Sequence, residues 1–143
     1  MKSNSGFTLI EMLLVLMAVG ISASLVVASV ASLERKREED RFFVLLEQDI
    51  HYAQSQSYSL GTSVTLVFWN HKPGYEVMYG LSYPGYARTM PKSISLNAAS
   101  NIRQVYFTPS GSIHQPGTMR FSTSSGERTV TVHLGKGRVV VSK

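Results

Sequence analysis

The sequence of 143 residues contains no cysteine. Disulfide bridges, thiolate nucleophiles and cysteine-ligated zinc sites are therefore excluded, and the fold must depend on packing alone. The chain has four histidines, at His51, His71, His114 and His133. Their spacing is not that of a metal site, and no serine lies in a recognisable nucleophile motif. We therefore expect a protein that is not an enzyme and that binds no cofactor or metal.

Charge and proline are both absent from residues 12–33. Such a run can cross a hydrocarbon core of about 30 Å as one helix, because each helical residue rises about 1.5 Å. The run is longer than the apolar part of a secretory signal peptide, and no Ala-x-Ala cleavage site closes it. The pattern favours a membrane segment that the mature protein keeps.

A short polar leader that carries Lys2 and ends at Gly6 precedes this run, and Phe7 to Glu11 then reads Phe-Thr-Leu-Ile-Glu. These residues resemble the prepilin signature of type IV pilins and pseudopilins. The resemblance implies that a prepilin peptidase cuts between Gly6 and Phe7 and that the new amino terminus at Phe7 is N-methylated. It also implies assembly with other pilin subunits through the N-terminal helix. Residues 7–33 contain no proline, which is closer to a minor pilin or pseudopilin than to many major pilins.

Glu11 has two interpretations. Thr8 and Glu11 have the spacing of a capping box, and a carboxylate suits the positive end of a helix dipole. Alternatively, a charge inside hydrocarbon costs about 2.5–3.5 kcal/mol on insertion scales and needs a partner. The resemblance supplies one, the free amine of Phe7 in a neighbouring subunit. We favour the assembly role, with capping operating as well.

Small residues recur at every fourth position of the apolar run. They are Gly20, Ser24, Ala28 and Ser32. Lipid gives helices no hydrophobic reason to associate, so close packing through small residues is the usual means. We expect this stripe to contact other subunits. The alternative is that small residues are simply common in membrane helices.

The helix is predicted to continue through residues 34–60, because apolar positions recur at three- and four-residue steps. This face consists of Phe42, Leu46, Ile50, Ala53, Ser57 and Leu60, with Phe43 beside it. Gly61 suits a helix C-cap. From Phe7 to Leu60 the helix would span about 80 Å.

After Gly61 the period becomes that of strands. The predicted strands are 63–70, 75–79, 93–96, 102–108, 118–122, 128–134 and 138–142, with turns at 71–74, 109–111, 124–126 and 135–137 and a loop at 80–91. The fold class is therefore α+β, a long helix packed on an antiparallel sheet. We expect a leader at 1–6, a membrane and assembly helix at 7–33, its amphipathic continuation at 34–60 and a β domain at 61–143.

Acidic residues are scarce in the β domain. Residues 60–143 hold nine Lys or Arg against two acids, a formal charge of +7. Such a domain attracts polyanions, including nucleic acid, although a merely soluble basic surface would look the same. We expect weak, non-specific, salt-dependent DNA binding, with Lys136, Arg138 and Lys143 as the candidate contacts.

Two C-terminal stretches, 105–111 and 132–141, are similar to the H-type minor pseudopilins and, within them, to minor pilins of the Gram-positive competence apparatus. Gly137-Arg138 matches half of a Gly-Arg-x-Arg motif that some DNA-uptake minor pilins carry, and Val140 replaces its second arginine. The resemblance implies a minor pilin of a competence pilus that supports DNA uptake. The alternative is a pseudopilin of a type II secretion system, which would contact exported protein.

Positive charge is distributed against the expected orientation. Arg35, Lys36, Arg37 and Arg41 follow the apolar run, whereas the leader has only Lys2, and this count alone would place the C-terminal side inside the cell. The processing site requires a cytoplasmic leader. We therefore expect a single-pass protein of the cell membrane with its C-terminal domain outside, at the cell surface once assembled.

Overall fold

The computed structural model describes residues 8–81, 83–134 and 138–142, apart from the side chains of residues 25–29. The chain divides into two compact units, Met1–Arg35 and Lys36–Lys143.

A single helix, α1 (Leu9–Leu60), is the first element of the fold, as predicted. At its start, the hydroxyl of Thr8 accepts a hydrogen bond of 3.3 Å from the amide of Glu11. At its end, Gly61 has a φ of 59°, the left-handed conformation that closes a helix and that glycine adopts without strain. Across the described part of the chain, no helical stretch combines the length and the hydropathy that a membrane crossing requires. The membrane segment expected at 7–33 stays a prediction.

Eight strands follow the helix in the described residues. They are β1 (Val64–Phe68), β2 (Gly74–Tyr79), β3 (Tyr83–Thr89), β4 (Ser95–Leu96), β5 (Gln104–Phe107), β6 (Gly117–Thr123), β7 (Gly126–Val132) and β8 (Val139–Ser142). They form two antiparallel four-stranded sheets, ordered β3-β2-β1-β5 and β4-β6-β7-β8. The single sheet that we expected is thus two, because alternation shows which face a residue occupies but not which strand it pairs with.

The loop predicted at 80–91 is wrong, since most of it forms β3. This strand lies at the edge of its sheet, where Pro84 can be accommodated because one side of the strand needs no hydrogen-bond donors. Gly85 lies so close to Tyr79 that an added Cβ would be 2.5 Å from the ring. Proline and glycine usually indicate a loop, but Pro84 and Gly85 belong here to an edge strand.

The core lies between the predicted helix face and alternate residues of both sheets. Leu46, Ile50 and Ala53 are fully buried on α1. The rings of Phe42 and Phe43 contact both sheets, since Phe42 lies 6.1 Å from Tyr75 of β2 and Phe43 lies 5.5 Å from Phe121 of β6. Full burial of one such side chain stabilises the fold by about 1.5–3 kcal/mol.

One residue of the predicted helix face is placed wrongly. Leu60 is 58% exposed, because it is the last residue of the helix and the chain turns away at Gly61. Ser57 is buried as expected, and its hydroxyl donates a hydrogen bond of 2.7 Å to the carbonyl of Gln54. The buried face therefore ends about one turn before the helix does.

Candidate functional site

The first part of α1 presents apolar side chains to solvent in every direction. Leu13, Leu14, Val15, Leu16 and Met17 are consecutive, and each is 54–65% exposed. Five successive residues cover more than one full turn of a helix, so no side of this segment is polar. Exposed apolar surface of this extent marks contact with other protein or with lipid.

Glu11 is the one charged residue of this apolar stretch between Thr8 and Leu33. Its backbone amide donates a hydrogen bond to the hydroxyl of Thr8. This is one of the two hydrogen bonds of a capping box, and it supports the capping interpretation. Among the described residues, no group donates a hydrogen bond to its carboxylate. Gly6 and Phe7, the predicted processing site and the source of the partner amine, lie outside the described residues. The pairing of Glu11 with a neighbouring amine stays a prediction.

The small-residue stripe lies on the same segment of helix. An added Cβ at Gly20 would meet no other atom within 4 Å, so the chain itself does not need a glycine there. The Ser24 hydroxyl donates to the Gly20 carbonyl at 2.7 Å, which satisfies it without a partner from outside. Ser32 is exposed, and the side chain of Ala28 lies outside the described residues. The role of the stripe as a subunit contact stays a prediction.

A buried ion pair fixes the helix to the first sheet. Asp49 of α1 is 5% exposed and accepts hydrogen bonds from Arg88 of β3, through Nε and through Nη2 at 3.1 Å. The hydroxyl of Tyr75, a fully buried residue of β2, donates to the same carboxylate at 2.6 Å. Burial, together with this hydrogen bond, raises the pKa of Tyr75 well above its usual range. The hydrogen bond to Asp49 also raises the pKa of Arg88.

Two more helix carboxylates contact the second sheet. Glu39 is fully buried and accepts a hydrogen bond of 3.0 Å from the amide of Ser124, in the turn between β6 and β7. Burial alone would raise the pKa of Glu39, but the hydrogen bond from the Ser124 amide and the charge of Arg128 outweigh it and lower that pKa. The next residue, Asp40, accepts a hydrogen bond from Arg128 of β7.

Sequence reasoning did not find these anchors. The usable signal was helical spacing, since Asp49 lies three residues after Leu46 and four before Ala53, both on the predicted apolar face. An acid on such a face requires a buried partner.

The pairing of the arginines reduces the free positive charge of the β domain. Arg88 and Arg128 are paired with Asp49 and Asp40 of the helix, which the count over residues 60–143 left out. Arg120 is paired with Glu127 at 2.8 Å. The formal +7 therefore overstates what this surface offers to a polyanion.

The remaining cations differ in their surroundings. Lys72 lies over the ring of Trp69, 3.7 Å from its centroid, and Arg103 donates to the side-chain oxygen of Asn70 at 2.8 Å. Among the predicted DNA contacts, Arg138 is exposed, whereas Lys136 and Lys143 lie outside the described residues. The assignment of these three residues as DNA contacts stays a prediction.

Comparisons with known proteins agree with this architecture. Residues 1–29 match the prokaryotic N-terminal methylation motif, and residues 45–136 match the family described as type II transport protein GspH. The chain is also similar to the crystal structure of the type IV minor pilin FimU of Pseudomonas aeruginosa strain PAO1. The TM-score is 0.58 at 13% identity, over 77% of this chain and 89% of that chain. No curated protein sequence matches significantly.

At this identity the likeness to FimU concerns the fold, and it confirms the expected α+β architecture of a long helix packed on antiparallel strands. The expected resemblance to type IV pilins and pseudopilins is confirmed at the level of the family, because the match covers well over half of the sequence. The chain is pilin-like and belongs to the family of type II transport protein GspH.

Proposed function

We propose that the protein is a minor subunit of a pilus-like filament and enters it through the N-terminal part of α1. The observation that carries this proposal is the exposed apolar surface on every side of the helix between Met12 and Ile21. Covering one large side chain of this kind contributes about 1.5–3 kcal/mol. Neighbouring helices in a filament would cover all sides of it at once.

Processing prepares the chain for this role. Cleavage between Gly6 and Phe7 by a prepilin peptidase removes the leader with Lys2, and methylation then modifies the amine of Phe7. The match of residues 1–29 to the N-terminal methylation motif supports both steps. The new amine is the partner that the Glu11 carboxylate needs when apolar surroundings replace water. That pairing fixes the register between adjacent subunits.

The filament that we propose is a competence pilus, in which this subunit supports uptake of exogenous DNA. Support comes from the C-terminal stretches that resemble competence minor pilins and from Lys72 and Arg103. Neither cation has a carboxylate within ion-pair distance among the described residues. A phosphate backbone could therefore approach them without displacing an internal partner.

The second candidate is a pseudopilin of a type II protein secretion system. The description of the matched family, type II transport protein, is the observation that favours it. In that case the surface of the β domain would contact an exported protein.

Deletion of the gene, with its neighbours left intact, separates the two candidates. We expect loss of transformation by added DNA while protein secretion continues, and restoration of transformation by the wild-type gene. Loss of secretion with normal transformation would overturn the competence proposal and favour the second candidate. An unchanged phenotype in both assays would contradict both.

A further inference from the structure

A polar cleft lies between the last part of α1 and the loop that connects β5 to β6. Its volume is about 590 Å³, within the range of about 300–1,000 Å³ that small-molecule sites occupy. The helix lines the cleft with His51, Ser55 and Tyr58, whose spacing of four and three residues places them on one face of α1. Ser110 and Ser112 line it from the loop. We call this feature the Tyr58 cleft.

Contacts within the chain fix the loop wall of the Tyr58 cleft. The side-chain amide of Gln54 donates a hydrogen bond of 2.9 Å to the carbonyl of Gly111. Gly111 has a φ of 74°, and a Cβ added there would lie 3.4 Å from the Cβ of Tyr58. The hydroxyl of Ser110 donates a hydrogen bond of 3.3 Å to the hydroxyl of Ser112. A ligand would therefore meet a wall that is already ordered, which lowers the entropic cost of binding.

The helix wall carries polar groups that are not used inside the chain. In the part of the chain that the structure describes, the imidazole of His51 and the hydroxyls of Ser55 and Tyr58 make no hydrogen bond. All three residues are exposed. A hydroxyl and a neutral imidazole each have both a donor and an acceptor. These groups can therefore bind a polar ligand without breaking an internal contact.

The ring of Tyr58 is the apolar part of the cleft. Tyr58 is 76% exposed, and its ring takes part in none of the aromatic pairs or cation contacts of the described residues. The loop approaches it at Cδ2, which lies 3.9 Å from the position of a Cβ added at Gly111. A ligand in the cleft therefore has access to the tyrosine ring.

The Tyr58 cleft is uncharged, although the β domain is basic. No Lys, Arg, Asp or Glu occurs in residues 50–71 or 104–119, the two segments that contain every residue of the lining. A charged ligand would lose hydration on entering the cleft and would gain no ion pair with its walls. The lining thus favours a ligand that is polar and carries no charge.

An exposed aromatic ring beside uncharged hydrogen-bonding groups is suited to a sugar. One face of a pyranose consists of C–H groups and packs on an aromatic ring, while its hydroxyls exchange hydrogen bonds with hydroxyl and imidazole groups. We propose that the Tyr58 cleft binds a neutral oligosaccharide. This inference does not depend on the proposed role in DNA uptake and gives the β domain a ligand of its own.

Saturation-transfer NMR of the full-length protein tests this proposal. The detergent must lack a sugar head group, because a maltoside would compete for the cleft. One sample contains triacetylchitotriose and another contains maltotriose, which separates N-acetylated glycan from glucan as the source of the sugar. We expect transfer to the ring protons of at least one trisaccharide, with an affinity that does not change between low and high salt. Absence of transfer to both would overturn the proposal.

Variants of exposed residues test the individual contacts. Tyr58→Ala should weaken binding about tenfold, while Tyr58→Phe, which keeps the ring, should bind nearly as the wild type does. Ser55→Ala should weaken binding severalfold, because one hydrogen bond is lost. Tyr83 and Ser59 are exposed and lie outside the lining, so Tyr83→Ala and Ser59→Ala are matched controls that should bind normally. Wild-type affinity in Tyr58→Ala would overturn the site.

Competing ligands test the class of ligand. Trigalacturonic acid has sugar rings and carboxylates, and we expect it to bind more weakly than the neutral trisaccharides. If it binds more tightly and its affinity falls with salt, the cleft is an anion site and the proposal is wrong. Stronger binding by a capped, uncharged peptide of glycine and serine than by either trisaccharide would overturn the inference in favour of a protein ligand.

Discussion

Arg88, on the edge strand β3, donates two hydrogen bonds to Asp49 in the middle of the α1 segment that covers the sheet. An edge strand usually depends on one neighbouring strand alone. Here β3 is also held by a side-chain contact to the helix, and Tyr75 of β2 donates to the same carboxylate. The hydrogen bonds from Arg88 and Tyr75 thus connect two adjacent strands to Asp49 of the helix.

Asp49→Asn removes the charge from this contact and leaves the Arg88 guanidinium without its counter-ion. Loss of one partner from a buried pair costs about 3–5 kcal/mol, but the Arg88 side chain is 38% exposed and water can solvate it, so we expect about 2 kcal/mol. Urea denaturation followed by Trp69 fluorescence measures the change. Glu47→Gln, a change at a partly buried acid of the same helix segment, is the control. Equal stability of the two variants would show that the ion pair does not stabilise the fold.

The lowered pKa of Glu39 predicts how the stability of the fold changes with pH in the acid range. Its folded pKa lies below the value of 4.5 that it has without the fold. The ionised carboxylate therefore stabilises the folded state above pH 4.5, and this contribution is lost as the pH falls through the lower folded pKa. Thermal unfolding between pH 7 and pH 3 should show a smaller loss of stability in Glu39→Gln than in the wild type. An identical pH dependence of the two proteins would contradict this assignment.

Helix, strands and core could be predicted largely from the sequence, because apolar periodicity reflects which face of an element is buried. The 52-residue helix and its buried positions Leu46, Ile50 and Ala53 follow from that pattern. Strand partners do not follow from it, since hydrogen bonds between strands leave no periodic signal. The division into two sheets was therefore missed.

The candidate sites show the same limit. Counting charges gave a basic β domain but could not show that Arg88 and Arg128 reach acids on the helix, because those contacts join residues 39 and 88 positions apart. Arg103 and Asn70 are 33 positions apart, and their contact depends on how β1 and β5 pair. A site formed by residues of several strands can be predicted only when the pairing of those strands is known.

If the small-residue stripe contacts neighbouring subunits, a large side chain within it should reduce assembly. Gly20→Leu should fold normally, because an added Cβ meets nothing within the chain, but its side chain would hold neighbouring helices apart. We expect a several-fold decrease of the protein in sheared filaments, measured by immunoblot against its total cellular amount. Val19→Leu, at the adjacent exposed position, is the control. Equal incorporation of both variants would remove the stripe from the subunit contact.

Processing should depend on Gly6, because the cleavage site of this family needs a residue without a side chain. Gly6→Val should leave a full-length precursor that retains Lys2. Intact-mass measurement of the native protein should give a chain that begins at methylated Phe7. A mature chain that begins near residue 33 would mean that the N-terminal segment is a removable signal peptide, contrary to the proposal.

The amount of the protein in sheared filaments, compared between the wild type, Glu11→Asp and Glu11→Val, tests filament entry through the N-terminal helix most directly. Glu11→Val should accumulate normally in cells, since removing a charge does not hinder insertion of an apolar helix. It should be absent from filaments, while Glu11→Asp keeps the carboxylate and is incorporated at least in part. Incorporation of Glu11→Val at the wild-type level would show that Glu11 acts only as a helix cap and would contradict pairing with a neighbouring subunit's amine.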